Sequence, residues 1–190
     1  MMHHALKKYL AGKVELSADE EDFVSKCFVQ KITERNEILV PAGSVANYIY
    51  LVVKGCLRVF LMNDEGIEST RFLIFEDRMG TAFPSFISRQ PSVAAIQSPE
   101  RSELLTLSFE NRELLIKNIA GWETMERKGL ETAYIEAIQR IENLITTDSK
   151  ERYNLLMKNN PEMIQRLPAK IIADYLGISP ETLSRLKAKK

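Results

Sequence analysis

Hydrophobic positions follow two different spacings along the chain. In residues 3–27 apolar side chains such as Leu6, Leu10 and Val24 recur at helical intervals, and Ser17 precedes three acidic residues, as is typical of a helix N-terminus. From Phe28 the spacing changes to short runs rich in Val, Ile, Tyr and Phe, which glycine-, proline- and asparagine-containing turns separate. These runs predict the many short strands of an all-β sandwich or barrel.

Individual strands can be placed within this region. Residues 48–53 are almost continuously apolar, and a second apolar run begins just after the turn at Gly55. The alternation breaks in residues 78–91, which carry Gly80, Pro84 and Pro91 and predict a loop with a short helix. The predicted strands are residues 48–53, 56–61, 67–75, 93–96 and 104–107, with a hairpin loop at residues 63–66.

The pattern becomes helical again after Phe109. A short helix through residues 114–116 leads into a long one at about residues 119–146, whose apolar positions recur at steps of four and three. Such a stripe packs either against the chain's own strands or against a second copy of the helix. Residues 146–149 then offer helix caps and predict a hinge. The stripe consists of Leu130, Tyr134, Ala137, Ile141 and Leu144, broadened by Ile138 and Ile145.

The end of the chain predicts two short helices joined by a tight turn. Residues 168–177 form an amphipathic segment that stops at Gly177, which can adopt the left-handed turn conformation. Ser179 is placed to cap the second helix, with Pro180 at its first position, and Ala173 is small where the helices must cross. This spacing is typical of a helix-turn-helix.

Basic residues are concentrated in this C-terminal segment. The net charge of the chain is zero, but residues 147–190 carry nine Lys or Arg and only five Asp or Glu. Residues 1–146 carry the other seventeen Lys or Arg and the other twenty-one Asp or Glu. The basic excess therefore lies where a polyanion such as DNA would need it.

Composition argues against several other classes of protein. The two cysteines, Cys27 and Cys56, are far apart and form no CxxC pair, and both histidines precede the β region, so we expect no metal site, no catalytic residues and no enzyme. No apolar run approaches the ~20 residues of a membrane span and no signal peptide is recognisable, so we expect a cytoplasmic protein.

The order of these elements resembles the Crp/Fnr family of bacterial transcription regulators over about residues 23–190. The best local marks are residues 48–60 with Gly55, the glycines at 66 and 80, and the run Ser179-Pro-Glu-Thr-Leu-Ser-Arg185. The resemblance implies an α+β fold, with a jelly-roll sensor domain and long dimer helix in residues 1–146 and a helix-turn-helix domain in residues 147–190. It also implies three partners: double-stranded DNA, a second copy of the chain as a homodimer, and RNA polymerase.

Two features depart from the family pattern. Where members that bind cyclic nucleotides have a glutamate and an arginine, an ungapped alignment places Thr81 and Pro91, and Arg89 is two residues away. We therefore expect no cofactor and no cyclic AMP binding, and the loop either lines a pocket for another small molecule or fills the roll. The family's β-hairpin wing also has too little room in residues 159–167. The candidate effector pocket comprises Gly80, Thr81, Ala82, Phe83, Arg89, Pro91 and Ser92.

The second helix of such a pair enters the major groove of DNA. Arg185 can donate two parallel hydrogen bonds to guanine, and Glu181 can accept one from a cytosine amino group. Glu181 and Arg185 could instead pair with each other as helix support, and the helix pair could contact a protein or serve an effector-binding module without reading DNA. The predicted DNA-binding residues are Lys170, Ser179, Pro180, Glu181, Thr182, Ser184, Arg185, Lys187 and Lys189.

Overall fold

Residues 2–188 are described by a computed structural model of the chain. They divide into two compact units. The first contains Met1–Leu61 and Phe72–Lys128, and the second contains Met62–Arg71 and Gly129–Lys190. The division falls inside the long helix, whereas the sequence places a domain boundary at its end, after residue 146; that boundary stays a prediction.

Within the described residues, eight strands form two four-stranded sheets with the orders β1-β8-β3-β6 and β2-β7-β4-β5. The pairings around β8 are antiparallel, so Tyr50 of β3 lies opposite Thr106 and Val52 lies opposite Leu104. All five predicted strands are present within a residue or two of their expected ends. The strands are β1 Phe28–Thr33, β2 Glu37–Val40, β3 Tyr48–Lys54, β4 Leu57–Met62, β5 Glu68–Ile74, β6 Met79–Gly80, β7 Ala94–Ser98 and β8 Ser102–Ser108.

Strand β3 is apolar on both faces because each face has a core of its own. Successive side chains of a strand point to opposite sides. Tyr50 and Val52 pack inside the roll with residues such as Ile96. Leu51 points outward and packs in a second core that contains Trp122. The continuous apolar run in the sequence is explained by this burial on both faces.

Helices cover the outer core of the first unit. Among the described residues these are α1 His4–Leu10, α2 Ala18–Cys27, α4 Phe109–Asn118 and the first turns of α5 Trp122–Thr146. Ser17 and Glu20 form the predicted capping box at the start of α2. Glu126 joins α5 to α4 because it pairs with Arg112 of α4 at 2.7 Å. It also accepts a hydrogen bond from Trp122 Nε1, on its own helix, at 3.0 Å.

Gly55, between β3 and β4, lies where the backbone passes very close to Ser102. Its φ of +105° is a conformation that side-chain-bearing residues rarely adopt, and a Cβ atom there would lie 2.1 Å from Ser102 Oγ. Ser102 Oγ in turn accepts a hydrogen bond from the Cys56 N–H at 3.2 Å. The glycine seen in the sequence as a turn signal is therefore also a packing requirement.

The second unit consists of helices together with Met62–Arg71, the tip of the β4–β5 hairpin. After α5 ends at Thr146, Asp148 caps the next helix, which confirms the predicted break. A short helix beginning at Pro161 occupies the region judged too short for a β-hairpin wing. The remaining helices described are α6 Ser149–Asn159, α7 Pro161–Arg166, α8 Ala169–Leu176 and α9 Pro180–Ala188. The chain as a whole is α+β, as predicted.

Met62–Arg71, which comprises the turn of the β4–β5 hairpin and the first residues of β5, contacts helix α8 within the second unit. The Thr70 N–H donates to Asp174 Oδ2 at 2.6 Å, and the Thr70 hydroxyl donates to the same oxygen. Arg140 of α5 donates to the Thr70 carbonyl at 3.1 Å, and its guanidinium lies 3.9 Å from the centre of the Tyr175 ring. These contacts fix the hairpin turn to both α5 and α8.

Candidate nucleic-acid interface

Helices α8 and α9 form the predicted helix-turn-helix. Helix α8 ends at Gly177, whose φ of +64° is the left-handed conformation expected there. The Ile178 N–H donates to the Ala173 carbonyl at 3.0 Å and closes the turn. Ser179 then caps α9, because its hydroxyl oxygen accepts the Thr182 N–H at 3.2 Å. Both the stop at Gly177 and the start at Ser179 are confirmed.

The two helices share the core that their apolar positions predicted. Ile172, Ala173, Leu176 and Leu183 are buried. Ile178 and Leu186, which the sequence also assigned to this core, are half-buried at its edge. Since Leu183 is the only fully buried residue within α9 in the described part of the chain, most of that helix faces solvent.

The exposed surface of α9 carries most of the predicted DNA-binding residues. Pro180, Glu181, Ser184, Arg185 and Lys187 are exposed on this helix, Ser179 is exposed just before it, and Thr182 is half-buried. Lys170 is exposed on α8. Lys189 lies outside the described residues. The structure therefore brings the residues at positions 179–187 to one short helix, and their role in DNA binding stays a prediction.

Glu181 and Arg185 have different local partners. The pKa of Glu181 is below its ordinary value, first because its carboxylate accepts a backbone N–H, then because Ser179 donates to it; the charge of Arg185 is a weaker cause. Arg185 Nη2 donates to Thr182 Oγ1 at 3.2 Å. The direct contact of Arg185 thus goes to Thr182, and its charge is only a weaker cause of the lowered Glu181 pKa.

The apolar stripe of α5 is exposed in the single chain. Tyr134 is 69% exposed and Ile141 is 51% exposed, and both lie in the helical stretch predicted as a dimer helix. Leu130, Ile138, Leu144 and Ile145 are also exposed, and Ala137 is half-buried. The stripe is therefore exposed along most of its length, and a second copy of the helix as its partner stays a prediction.

The candidate effector loop is held by contacts within the first unit. Gly80 ends β6, and a Cβ atom there would lie 2.2 Å from Ile74 Cδ1. The Thr81 hydroxyl donates to the Tyr48 carbonyl at 2.7 Å. The Ser92 hydroxyl donates to the Ala94 carbonyl at 2.7 Å. Pro91 and Phe83 are exposed, whereas Ala82 is buried.

The Arg89 guanidinium donates hydrogen bonds to other residues of the chain. It follows α3, Phe83–Ser88, in a left-handed conformation. Its Nη1 donates to the Ala46 carbonyl at 2.8 Å, and its Nη2 donates to Asn47 Oδ1 at 2.5 Å. The guanidinium also lies 4.7 Å from the centre of the Phe109 ring. A phosphate bound by Arg89 would have to replace these contacts.

The apolar run at residues 82–87 contributes to the interior of the roll. Phe86 is fully buried in the inner core and makes an edge contact with Phe109 at 5.5 Å between ring centres. Ala82 is part of the same core. This arrangement favours a filled roll at the loop, and an effector pocket formed by Gly80–Ser92 stays a prediction.

Sequence reasoning missed the residues that attach the hairpin turn to α8. Thr70 and Asp174 are 104 positions apart, and each looks like an ordinary surface residue of its own element. Neither local spacing nor charge pattern could have paired them.

Among the residues that the structure describes, no group of three or more His, Cys, Asp or Glu side chains is arranged to hold a metal ion. No helix in that part of the chain has the length and apolar character needed to cross a bilayer.

No protein-family model and no curated protein matches the chain in sequence. Its structure is similar to solved structures across most of its length. FixK2 from Bradyrhizobium japonicum is 16% identical with a TM-score of 0.72, and the match covers 85% of this chain and 83% of that one. A CooA variant from Carboxydothermus hydrogenoformans is 17% identical with a TM-score of 0.73, and the match covers 100% of this chain and 84% of that one.

A third similar structure is described as a member of the Crp/Fnr family. It is a candidate transcriptional regulator of the Crp/Fnr family from Eubacterium rectale, 18% identical with a TM-score of 0.70, and the match covers 92% of this chain and 83% of that one. At sequence identities this low, the structural similarity establishes a shared architecture. The chain therefore has the fold of the Crp/Fnr regulators.

Proposed function

We propose that the chain is a DNA-binding transcription regulator of the Crp/Fnr type, which binds DNA as a homodimer through residues 179–190 and does not respond to cyclic AMP. The observation that supports this most directly is the exposed face of α9. That helix buries Leu183 against α8 and presents Glu181, Ser184 and Arg185 to solvent. A helix placed in this way can enter the major groove.

The chemistry of this face suits duplex DNA. Arg185 can offer two parallel donors to the O6 and N7 atoms of guanine, and ionised Glu181 can accept from the cytosine amino group. Lys170, Thr182, Lys187 and Lys189 are assigned to phosphate contacts, which set the position of the helix and add salt-dependent affinity. Because no wing is present in residues 160–167, phosphate contacts carry a larger share of binding than in winged relatives.

A homodimer follows from the stripe on α5. An exposed apolar band of this length needs a partner, and a second copy of the same helix is complementary to it through a two-fold axis. A two-fold axis also matches the two half-sites, about one helical turn apart, that helix-turn-helix dimers contact.

Cyclic AMP does not fit the effector loop. The position expected to hold the phosphate-binding arginine is Pro91, which has neither charge nor an N–H donor. The nearby Arg89 already donates to Ala46 and Asn47. A buried cyclic phosphate would therefore lack the bidentate donor that offsets its desolvation.

The proposal is tested by duplex selection followed by fluorescence anisotropy at several salt concentrations. We expect one two-fold symmetric sequence to be enriched, its affinity to fall steeply with salt, and added cyclic AMP to leave the affinity unchanged. If the chain binds no duplex more tightly than it binds a neutral polymer, the helix pair instead belongs to a protein-interaction or effector-binding module. If cyclic AMP changes DNA affinity, the assignment of the loop is wrong.

A further inference from the structure

A cavity of about 440 Å³ opens into the roll where β1, β2, β3 and β8 meet. Residues that line it include Lys31, Glu37, Ile38, Tyr48, Tyr50 and Thr106. None of the seven residues predicted for the effector loop contributes to this lining. Its volume is in the range of sites that bind small molecules. The cavity is thus a separate candidate site on the first unit.

Tyr50 presents an unused hydroxyl to this cavity. Only 2% of the residue is exposed, and its hydroxyl forms no hydrogen bond with any residue that the structure describes. Tyr50 is one of the residues that line the cavity, and its hydroxyl lies near Tyr48 and Glu37, which line the cavity as well. Buried tyrosines usually pair their hydroxyl, which makes this group available to a ligand.

The Tyr50 phenol is available as a donor. Burial raises its pKa, and the nearby Tyr48 and Glu37 raise it further. The hydroxyl is therefore protonated at neutral pH and can donate a hydrogen bond to an oxygen of the ligand.

The charged groups of the cavity and one of its hydroxyls are already paired. Lys31 Nζ lies 3.0 Å from Glu37 Oε1, so the two opposite charges satisfy each other. The Thr106 hydroxyl donates to the Val29 carbonyl at 3.0 Å. A charged ligand would find no counter-ion here without breaking the Lys31–Glu37 pair, which favours a neutral one.

The remaining wall is apolar and aromatic. Ile38, Leu39 and Val29 supply aliphatic surface. The rings of Tyr48 and Tyr50 are 6.4 Å apart between centres and tilted by 50° to each other. Tilted tyrosine rings and aliphatic side chains offer edge and face contacts to a planar ring.

We propose that this cavity binds a neutral aromatic compound that carries a carbonyl oxygen, which accepts a hydrogen bond from Tyr50. Aromatic and aliphatic side chains surround the ring of the ligand, and the Lys31–Glu37 pair stays intact. Unlike a cyclic nucleotide, the proposed ligand carries no charge, and its cavity is separate from the effector loop of residues 80–92. The proposal concerns binding to the first unit and does not depend on DNA binding.

The test uses the full chain labelled with 3-fluorotyrosine and followed by ¹⁹F NMR, with coumarin and acetophenone as neutral probes. We expect saturable shifts of the Tyr48 and Tyr50 signals, while Tyr134, exposed on α5, stays constant. Coumarin-3-carboxylate, the matched anion, is expected to bind at least about tenfold more weakly because it lacks a counter-ion. Equal binding of the anion would contradict a neutral ligand.

Variants test the role of the hydroxyl. Tyr50→Phe keeps the ring and should weaken coumarin by roughly three- to tenfold, the usual range for one hydrogen bond. Tyr134→Phe is the matched control and should leave coumarin affinity unchanged. Ile38→Trp should block the cavity and abolish the shifts while the unfolding curve shows an intact fold. The proposal is overturned if neither neutral probe shifts Tyr50 saturably, or if Tyr50→Phe binds coumarin as tightly as the wild type.

Discussion

Arg185 is the residue on which the proposed sequence preference depends most. It is exposed on α9, and its contact to Thr182 leaves further guanidinium donors for a base. Arg185→Ala should weaken the selected duplex by about 1–3 kcal/mol and relax the preference at one base pair. Anisotropy titrations with selected and random duplexes measure this directly.

Lys187→Ala is the control for Arg185→Ala. Lys187 is exposed two residues further along the same helix and is assigned to phosphate. Its loss should weaken selected and random duplexes alike and reduce the salt slope by about 1. Equal losses on both duplexes for Arg185→Ala would show that Arg185 reads no base.

Gly55 tests the packing of the roll at the same scale. Gly55→Ala places a methyl group 2.1 Å from Ser102 Oγ at a φ of +105°, so we expect the free energy of unfolding to fall by about 3 kcal/mol or more. Gly129→Ala is the matched control: Gly129 is inside α5, and a Cβ there meets nothing within 4 Å. It should raise stability by about 0.5–1 kcal/mol. Urea unfolding curves with the same midpoint for both variants would contradict this prediction.

At the scale of elements, the hairpin turn and α8 are joined through Thr70. Its N–H and its hydroxyl both donate to Asp174, and its carbonyl accepts from Arg140. Thr70→Val removes the hydroxyl and keeps the side-chain shape, so we expect a loss of about 1–2 kcal/mol and faster amide exchange in residues 62–71. Hydrogen exchange read by mass spectrometry resolves this segment.

Thr70→Ser separates hydrogen bonding from packing at this position. Serine keeps both donors to Asp174, so exchange in residues 62–71 should stay within a factor of about two of the wild type. If Thr70→Ser accelerates exchange and Thr70→Val does not, the methyl group, and not the hydrogen bond to Asp174, holds the turn in place.

Elements with local causes could be predicted from the sequence. The caps at Ser17 and Ser179 and the stop at Gly177 depend on side chains within three residues, and all three are confirmed. Helix α7 was not predicted, because its six residues begin at a proline that looks like a break. Proline is tolerated at the first turn of a helix, so the same residue can end one helix and begin another.

Sites that need distant partners could not be predicted. The cavity beside Tyr50 depends on four strands, and the Thr70–Asp174 contact depends on a separation of 104 residues. Arg89 could be found from its position near the expected phosphate site, but its donation to Ala46 and Asn47 could not. Periodicity reports which face of an element is buried, and it carries no information on which distant group the face meets.

At the scale of the whole molecule, the proposed homodimer would decide whether two α9 helices act together on DNA. The α5 stripe exposes Tyr134, Ile138 and Ile141 along one helix, and a two-fold axis through it would pair each stripe with its copy. In the proposed complex each α9 helix would contact one half-site, so high affinity for a two-fold symmetric duplex would require the dimer. Breaking the stripe should therefore weaken DNA binding without changing α9.

Ile141→Glu tests this dependence by placing a charge in the middle of the stripe. In a dimer each copy would bury an unpaired carboxylate, so we expect the dimer to dissociate at least about 100-fold more readily. Light scattering after size exclusion should show a monomer, and affinity should fall on a symmetric duplex much more than on one half-site. Gln139→Glu adds the same charge at an exposed position of α5 outside the stripe and should leave both properties unchanged. A wild-type chain that is monomeric, or an Ile141→Glu chain that dimerises like the wild type, would mean that the stripe has another partner.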